Sequence, residues 1–242
     1  YWDNNLISTI NLLKVMQSNN CNNIVFSSTA AVYGSNEKRL LTEDSHLMPI
    51  NPYGRTKLTI ENILKDLFLS SSNKWKITNL RYFNPIGSHP SGLIGENPLR
   101  KPNNIFPLIM QVAWGEIDKL KIYGSDWPTK DGTGVRDYIH VMDVAESHIK
   151  VLEFLIKSKP VFLNLNVGTG KGTSVLDLVK AFEKVNDVKV PYVFEKRRSG
   201  DAPYVVADNS LLISKMNIIP KKNIHDMCRD GWKWKKLNPT GF

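Results

Sequence analysis

Apolar residues along the first third of the chain follow two alternating rhythms. In "YWDNNLISTINLLKVMQ", Leu6, Ile10 and Leu13 recur at helical spacing. "NNIVFSST" then sets Ile24, Val25 and Phe26 as a short run between polar residues, the pattern of a buried strand. After a polar loop, Asn51 can cap a helix with Pro52 in its first turn, where a missing N–H costs nothing. Ile60, Ile63, Leu64, Leu67 and Phe68 form one apolar stripe along that helix, which is predicted to end near "SSSN". "WKITNLRYFNP" is the next predicted strand, stopped by Pro85. Strand, helix, strand in this order predicts right-handed crossovers and an α/β doubly wound parallel sheet. Ligands bind beyond the carboxyl ends of such strands. Those ends carry Ser27, Ser28 and Thr29 in one case and Tyr82, Phe83 and Asn84 in the other.

From Gly87 to about Asn104 the composition shifts to Gly, Pro, Ser and Asn, an irregular stretch of the kind that carries function or joins domains. "IFPLIMQVAWGEI" predicts a helix and "KLKIYG" a short strand. "DGTGVRDYIHVMDVAESHIKVLEFLIK" runs from a loop through an extended piece into a helix, and "VFLNLNVGTG" is a strand. Ser174 and Asp177 form a candidate capping box for the helix "VLDLVKAFEKV". No internal repeat or low-complexity tract is present.

The 242 residues carry a formal charge of +9, which suits an anionic partner. The lysines are scattered, and the compact cluster is "EKRRSGD", so a phosphorylated small molecule is the expected partner rather than nucleic acid. Cys21 and Cys228 lie far apart, with no C-x-x-C and no histidine at ligand spacing, so neither a metal site nor a disulfide framework is expected. No apolar run approaches the roughly 18 residues of a spanning helix. The chain opens on Tyr1 and is expected to begin inside an element, with any targeting signal out of view.

Chemistry centres on "NPYGRTK". Residues i and i+4 share a helix face, so Tyr53 and Lys57 stack one above the other, on the face that continues to Ile60, Leu64 and Leu67. An ammonium held close favours phenolate and lowers a tyrosine pKa toward the range of a general base. The spacing alone is weak: the chain has 8 tyrosines, and Tyr192 and Lys196 in "YVFEK" repeat it in a β-type segment, where the two side chains are too far apart to cooperate. The hydroxyl cluster "FSST" at a strand end upstream strengthens Tyr53/Lys57, because a hydroxyl there can donate to a substrate oxygen while the phenol handles its proton. "VGTGKGTS" has the flavour of a phosphate loop but fails G-x-x-x-x-G-K-[ST], and is expected to be a strand-to-helix turn. His140 and His89 are expected to be structural.

"FSSTAAVYG", "NPYGRTK", "RYFNPIGSHPSGLIGE", "PNNIFP" and "DGTGVRDYIHVMDVA" together resemble the UDP-glucose 4-epimerase family of the extended short-chain dehydrogenase/reductases, in that family's order and over essentially the whole chain. The resemblance implies a Rossmann-like sheet with a smaller α/β substrate-binding domain, and bound NAD. It implies interconversion of UDP-glucose and UDP-galactose in the cytoplasm by a homodimer. Tyr53 would remove the 4-hydroxyl proton as hydride leaves C4, and hydride would return to the other face of a 4-keto sugar. Matched by motif, Thr29, Tyr53 and Lys57 are the expected catalytic residues, and all three also contact the cofactor, with Asn4 and Phe83. Asn84, Asn104, Arg136, Arg198 and Asp201 are the expected UDP-sugar contacts. Val205 falls where residue bulk limits space beside the sugar 2-substituent, which predicts room for UDP-N-acetylhexosamines. Residues 1–87 would belong to the NAD-binding domain and 88–242 to the UDP-sugar-binding domain, with about 161–185 a candidate return to the main sheet.

The departures from the family pattern are also informative. A dinucleotide site of this type needs a Gly-rich turn and an acidic residue about 20 positions later. Neither is found here, and on the order of 90 residues of the usual fold are missing upstream. The 242 residues alone are therefore expected to bind NAD poorly and to be inactive. The alternatives are a related nucleotide-sugar dehydratase or decarboxylase, disfavoured by Ala30, Ala31 and Val32 after Thr29, and a catalytically silent dinucleotide-sensing or scaffold protein.

Overall fold

The computed structural model describes residues 1–35, 39–70, 74–98 and 102–241. The opening helix starts as a wide π turn, Trp2–Ile7, and continues as α1, Ser8–Ser18. Then come β1 (Asn23–Thr29), a 3-10 turn (Ala30–Tyr33), α2 (Pro52–Ser70), β2 (Lys76–Tyr82) and β3 (Asn84–Ile86). The middle of the chain holds α3 (Ile105–Trp114), β4 (Leu120–Tyr123), β5 (Val135–Arg136), β6 (Tyr138–His140), α4 (Val141–Lys157) and β7 (Val161–Val167). The last third holds β8 (Thr173–Ser174), α5 (Val175–Asn186), β9 (Tyr192–Glu195), β10 (Tyr204–Val205), α6 (Ser210–Met216) and α7 (Ile224–Leu237). At the expected "SSSN" end of α2, residues 71–73 lie outside the described residues.

The main sheet is parallel, in the order β1-β2-β7, with Thr29 level with Tyr82 and Val167. Side chains alternate between its two faces. Phe26 and Ile77 pack with Ile60 and Leu64 of α2, while Leu80, Leu165 and Val167 pack with Val144, Val151 and Leu155 of α4. With helices on both faces, the hydrophobic runs of the strands are accounted for. Among the described residues the other edge of β1 has no partner.

Pro85 does not end the strand segment. It sits inside β3, opposite Ile139 of β6, because the chain changes sheets after Phe83. Phe83 N still donates to Val167 O (3.1 Å), and Asn84 N donates to Asp137 O (3.0 Å), so the switch is made one residue before the proline.

A second lobe is built on Phe106, Ile109, Leu120, Tyr138, Leu178, Phe182, Met227 and Trp232, drawn from α3, β4, β6, α5 and α7. Three small sheets frame it: β3-β6, β4-β9 and β10-β5-β8. Ser174 caps α5 by accepting from Asp177 N (3.0 Å) and turns its own hydroxyl to Asp131 (2.5 Å). The reciprocal capping box is instead at α7, where Asn223 and Asp226 each accept from the other's backbone N–H. Gly231 stands inside α7, where an added Cβ would lie 2.4 Å from the Phe106 ring.

Candidate active site

β1 delivers Thr29 to the sheet's carboxyl edge, where its Oγ1 accepts from Ala31 N (3.1 Å) and caps the 3-10 turn. The helix α2 starts against that turn. Asn51 Oδ1 accepts from Gly54 N (2.8 Å), and a Cβ on Gly54 would stand 2.7 Å from Ala31 O and 2.9 Å from Pro49 Cβ. Glycine thus lets the first turn of α2 seat closely on that turn, with the Tyr53 phenol and the Thr29 hydroxyl facing each other in one cleft.

Lys57, one turn on, points its Nζ at Ser27 O (2.8 Å), 4.9 Å from the Phe26 ring centroid and 5.8 Å from that of Tyr53. Burial pushes the Lys57 ammonium below its ordinary value. Burial pushes the Tyr53 phenol up; the Thr29 bond partly offsets this, and Tyr1, whose ring lies 5.6 Å away, adds to it. The expectation of a lowered Tyr53 pKa is therefore corrected for the described residues. The Thr29 hydroxyl, rather than the ammonium turned toward Ser27, opposes the upward shift.

Thr29 and Tyr53 open into a cleft of about 720 Å³ between the sheet edge and the second lobe. Phe83 and Asn84, on the segment that changes sheets, form its floor. Asn104, Arg136, Asp201 and Val205 complete its far wall. Arg136 donates Nη1 to Val135 O and Ala202 O, both at 2.9 Å, and burial lowers its pKa. Among the described residues no carboxylate forms an ion pair with it. Arg198 lines an adjoining cavity of about 140 Å³ that shares Asn84, Asn104, Arg136 and Asp201 with the cleft, and its Nε donates to Asp201 Oδ2 (3.1 Å).

Two candidates line neither cavity. Lys57 lies behind Tyr53, at the Ser27 carbonyl, and Asn4 is exposed on the turn before α1. The neighbouring Asn5 ties that turn to α2, donating to Thr56 Oγ1 (3.0 Å).

Tyr82, Glu96 and Tyr138 line the cleft but had been given no role. The Tyr138 hydroxyl, two residues from Arg136, is buried with no hydrogen-bond partner among the described residues. That i, i+2 spacing on an extended piece was the available signal; Glu96, in an irregular stretch, offered none. The phosphate-loop look of "VGTGKGTS" has a physical cause. Thr169 N, Thr169 Oγ1 and Gly170 N converge on the Asp137 carboxylate at 2.6–2.9 Å, so the anion nest is filled by the chain itself. His140 is fully buried, caps α4 by accepting from Met142 N (3.0 Å) and meets Asp230 at 3.3 Å, a structural placement.

The sheet-edge residues suit the nicotinamide ribose of a dinucleotide. Lys57 uses one of its three ammonium donors on Ser27 O.

A parallel sheet flanked by helices, with a hydroxyl, a phenol and a lysine at its carboxyl edge, defines a dinucleotide-dependent enzyme of the Rossmann class. The chain belongs to the NAD dependent epimerase/dehydratase family, whose pattern matches residues 1–168. Within that family it is similar to UDP-glucose 4-epimerases. It is 51% identical to UDP-glucose 4-epimerase 1 of rice (Oryza sativa subsp. japonica), over 100% of this chain and 69% of that protein. The UDP-glucose 4-epimerase of Stenotrophomonas maltophila, solved with NAD and formylated UDP-arabinopyranose, superposes with a TM-score of 0.95 at 44% identity, over 98% of this chain and 70% of that one. The Bifidobacterium longum enzyme, solved with NAD+ and UDP, gives 0.94 at 43%, over 100% and 72%.

Proposed function

We propose that the protein interconverts UDP-glucose and UDP-galactose by epimerisation at C4, with NAD as cofactor. The observation that carries this is the Thr29 hydroxyl and Tyr53 phenol lining one cleft with the half-buried Arg136, which among the described residues forms no ion pair with a carboxylate. A guanidinium whose hydrogen bonds among the described residues go to backbone carbonyls suits a diphosphate.

In this reading Arg136 and Arg198 hold the diphosphate, and Asn84, Asn104 and Asp201 bond the nucleoside and sugar hydroxyls. Thr29 donates to the O4 oxygen. Tyr53 takes the O4 proton as the C4–H bond breaks, and gives it back to the 4-keto oxygen when that bond is remade on the opposite face. NAD, when bound, supplies the acceptor and donor for the C4 hydride. Lys57 and Phe83 would hold its nicotinamide ribose and ring, and Asn4 would contact it outside the cleft. Lys57 would also favour the phenolate of Tyr53 once its ammonium bonds the ribose, so the base form is assembled with the cofactor in place. The cleft walls keep bulk water from the keto sugar while it turns over.

Residues 1–87 would then serve the cofactor and most of 88–242 the UDP-sugar. The unpaired edge of β1 supports the view that residues 1–242 alone hold NAD weakly and that the activity needs a Gly-rich dinucleotide unit beside it. We place the enzyme in the cytoplasm and read it as a homodimer, the latter supported by the exposed apolar Ile7, Leu12 and Val15 along the opening helix. A dehydratase would need an acid beside the base, and the turn after Thr29 offers Ala30, Ala31 and Val32.

The test is product identity. NAD-supplied protein, as residues 1–242 and joined to a dinucleotide-binding unit, is incubated with UDP-galactose. UDP-glucose from the longer form and little from the shorter supports the reading. A 4-keto-6-deoxy product, or no product from either form, overturns it, and equal activity of the two forms overturns the requirement for the added unit.

A further inference from the structure

Tyr53, Lys57 and Glu61 are four residues apart and lie along one line of α2. Each meets a different residue of β1. The Tyr53 phenol faces the Thr29 hydroxyl, Lys57 Nζ donates to Ser27 O at 2.8 Å, and Ser28 Oγ donates to Glu61 Oε1 at 2.5 Å. The third contact belongs to a buried ion pair. Arg81, on β2, donates Nε to Glu61 Oε1 (3.0 Å) and Nη2 to Oε2 (2.7 Å), with side chains 2% and 4% exposed.

The pair is bonded on every side. Arg81 Nη1 donates to the Tyr33 hydroxyl (3.1 Å) and to Glu43 O (2.9 Å). The Tyr33 phenol, pushed up to about 12 by burial, donates as a neutral hydroxyl to Asn166 Oδ1 (2.6 Å) on β7. Asn166 donates Nδ2 to Leu41 O (2.7 Å) and its backbone N–H to Glu43 Oε1 (2.7 Å). One continuous network therefore joins α2 to all three strands of the main sheet and to the turn after Thr29.

We propose that the Glu61–Arg81 pair is a positioning device for the Tyr53 base: it fixes the rotation and axial setting of α2 on β1, so that Tyr53 meets Thr29 and Lys57 meets Ser27. This rests on the epimerase reading of the site. A buried ion pair adds little stability over apolar side chains of similar volume, so its presence calls for another reason. The Ile60 and Leu64 contacts resist separation of α2 from the sheet but carry no directional bond against sliding or turning. The two-pronged Arg81 contact is directional, and it lies two helical turns from Tyr53. The groups held on the UDP side, Arg136 and Arg198, belong to the second lobe and, among the described residues, share no bond with this network.

The test uses NAD-loaded protein joined to the dinucleotide-binding unit, with Glu61→Gln, Arg81→Lys and the paired variant Glu61→Met/Arg81→Met, which keeps the volume and removes both charges. The expected result is a kcat lowered roughly 10- to 100-fold, since small misplacement of a reacting group carries that penalty. KM for UDP-galactose should stay within about threefold, since uniform substrate binding is untouched. A second readout is the Tyr53 phenol itself, followed by ultraviolet difference titration of each variant against its Tyr53→Phe counterpart. Tyr1, Thr29, Lys57 and Tyr82 face that phenol. Loss of the Thr29 bond should move its ionisation to higher pH, even in the paired variant with a Tm near the parent's. A folded paired variant with the parent's kcat and phenol titration overturns the proposal. So does a kcat loss with an unmoved phenol, and so does failure of all variants to fold, which assigns the pair to stability. The titration needs no sugar, so a moved phenol in a protein that converts no UDP-hexose keeps the positioning role while removing the proposed reaction.

Discussion

The α-carbon of Gly54 rests on the carbonyl of Ala31 so closely that a Cβ would stand 2.7 Å from that oxygen. This contact seats the first turn of α2 on the turn after Thr29. Gly54→Ala is expected to push the helix start away, at a cost of about 1–3 kcal/mol as overpacking. Denaturant unfolding should show that loss, and epimerase activity should fall further than the lost stability explains, because Tyr53 moves with the turn.

Removing the phenolic oxygen with Tyr53→Phe leaves the ring and its packing in place. Turnover should drop by about 10²–10⁴-fold, the usual worth of a general acid–base group, while binding of UDP, followed by calorimetry, stays near the parent's.

Burial raises the Tyr53 phenol and the Thr29 hydroxyl opposes that rise. The base form is the deprotonated one, so kcat rises with pH through the phenol's ionisation. Thr29→Val removes the opposing bond and is expected to shift that rising limb to higher pH, whereas Thr29→Ser keeps it in place. A pH–rate profile of the three proteins checks this, and an unmoved limb in the valine variant would remove Thr29 from the proton step.

Val205 lines the cleft from β10, where valine leaves more room than a tyrosine ring would. Val205→Tyr should suppress conversion of UDP-N-acetylgalactosamine selectively and spare UDP-galactose. Equal loss on both would show that this position does not select the 2-substituent.

At α7 the backbone N–H of Asn223, with the Arg229 guanidinium close by, holds the Asp226 carboxyl below the usual range. Its folded pKa lies below the unfolded value of about 3.9, so its contribution is complete above that pH and is lost as pH falls through the lower folded value. Asp226→Ala should cost roughly 0.3–1 kcal/mol at neutral pH, kept small by the partly exposed site, and the difference from the parent should vanish in acid.

The main sheet is legible in the chain because Ile24–Phe26 and the stripe from Ile60 to Phe68 follow the two periods that backbone geometry imposes. Pro85 misleads because a change of sheet, not a stop, follows Phe83. Helix α7 is obscured by Gly231, whose reason lies across the lobe in the Phe106 ring. The pattern around Tyr53 is local and can be read from spacing. By contrast, Arg136 and Val205 sit on strands of two residues and Asp201 in a loop, too short for any periodicity, so only the family resemblance marks them. The Glu61–Arg81 pair is invisible in sequence because it needs the register of β2 against α2.

The central claim is that Tyr53 moves the O4 proton of a UDP-hexose. The most direct measurement follows conversion of UDP-galactose to UDP-glucose by NAD-loaded protein joined to the dinucleotide-binding unit, parent and Tyr53→Phe side by side. Conversion to an equilibrium mixture by the parent and its near-complete loss in the phenylalanine variant is the expected result, and undiminished conversion by that variant would contradict the assignment.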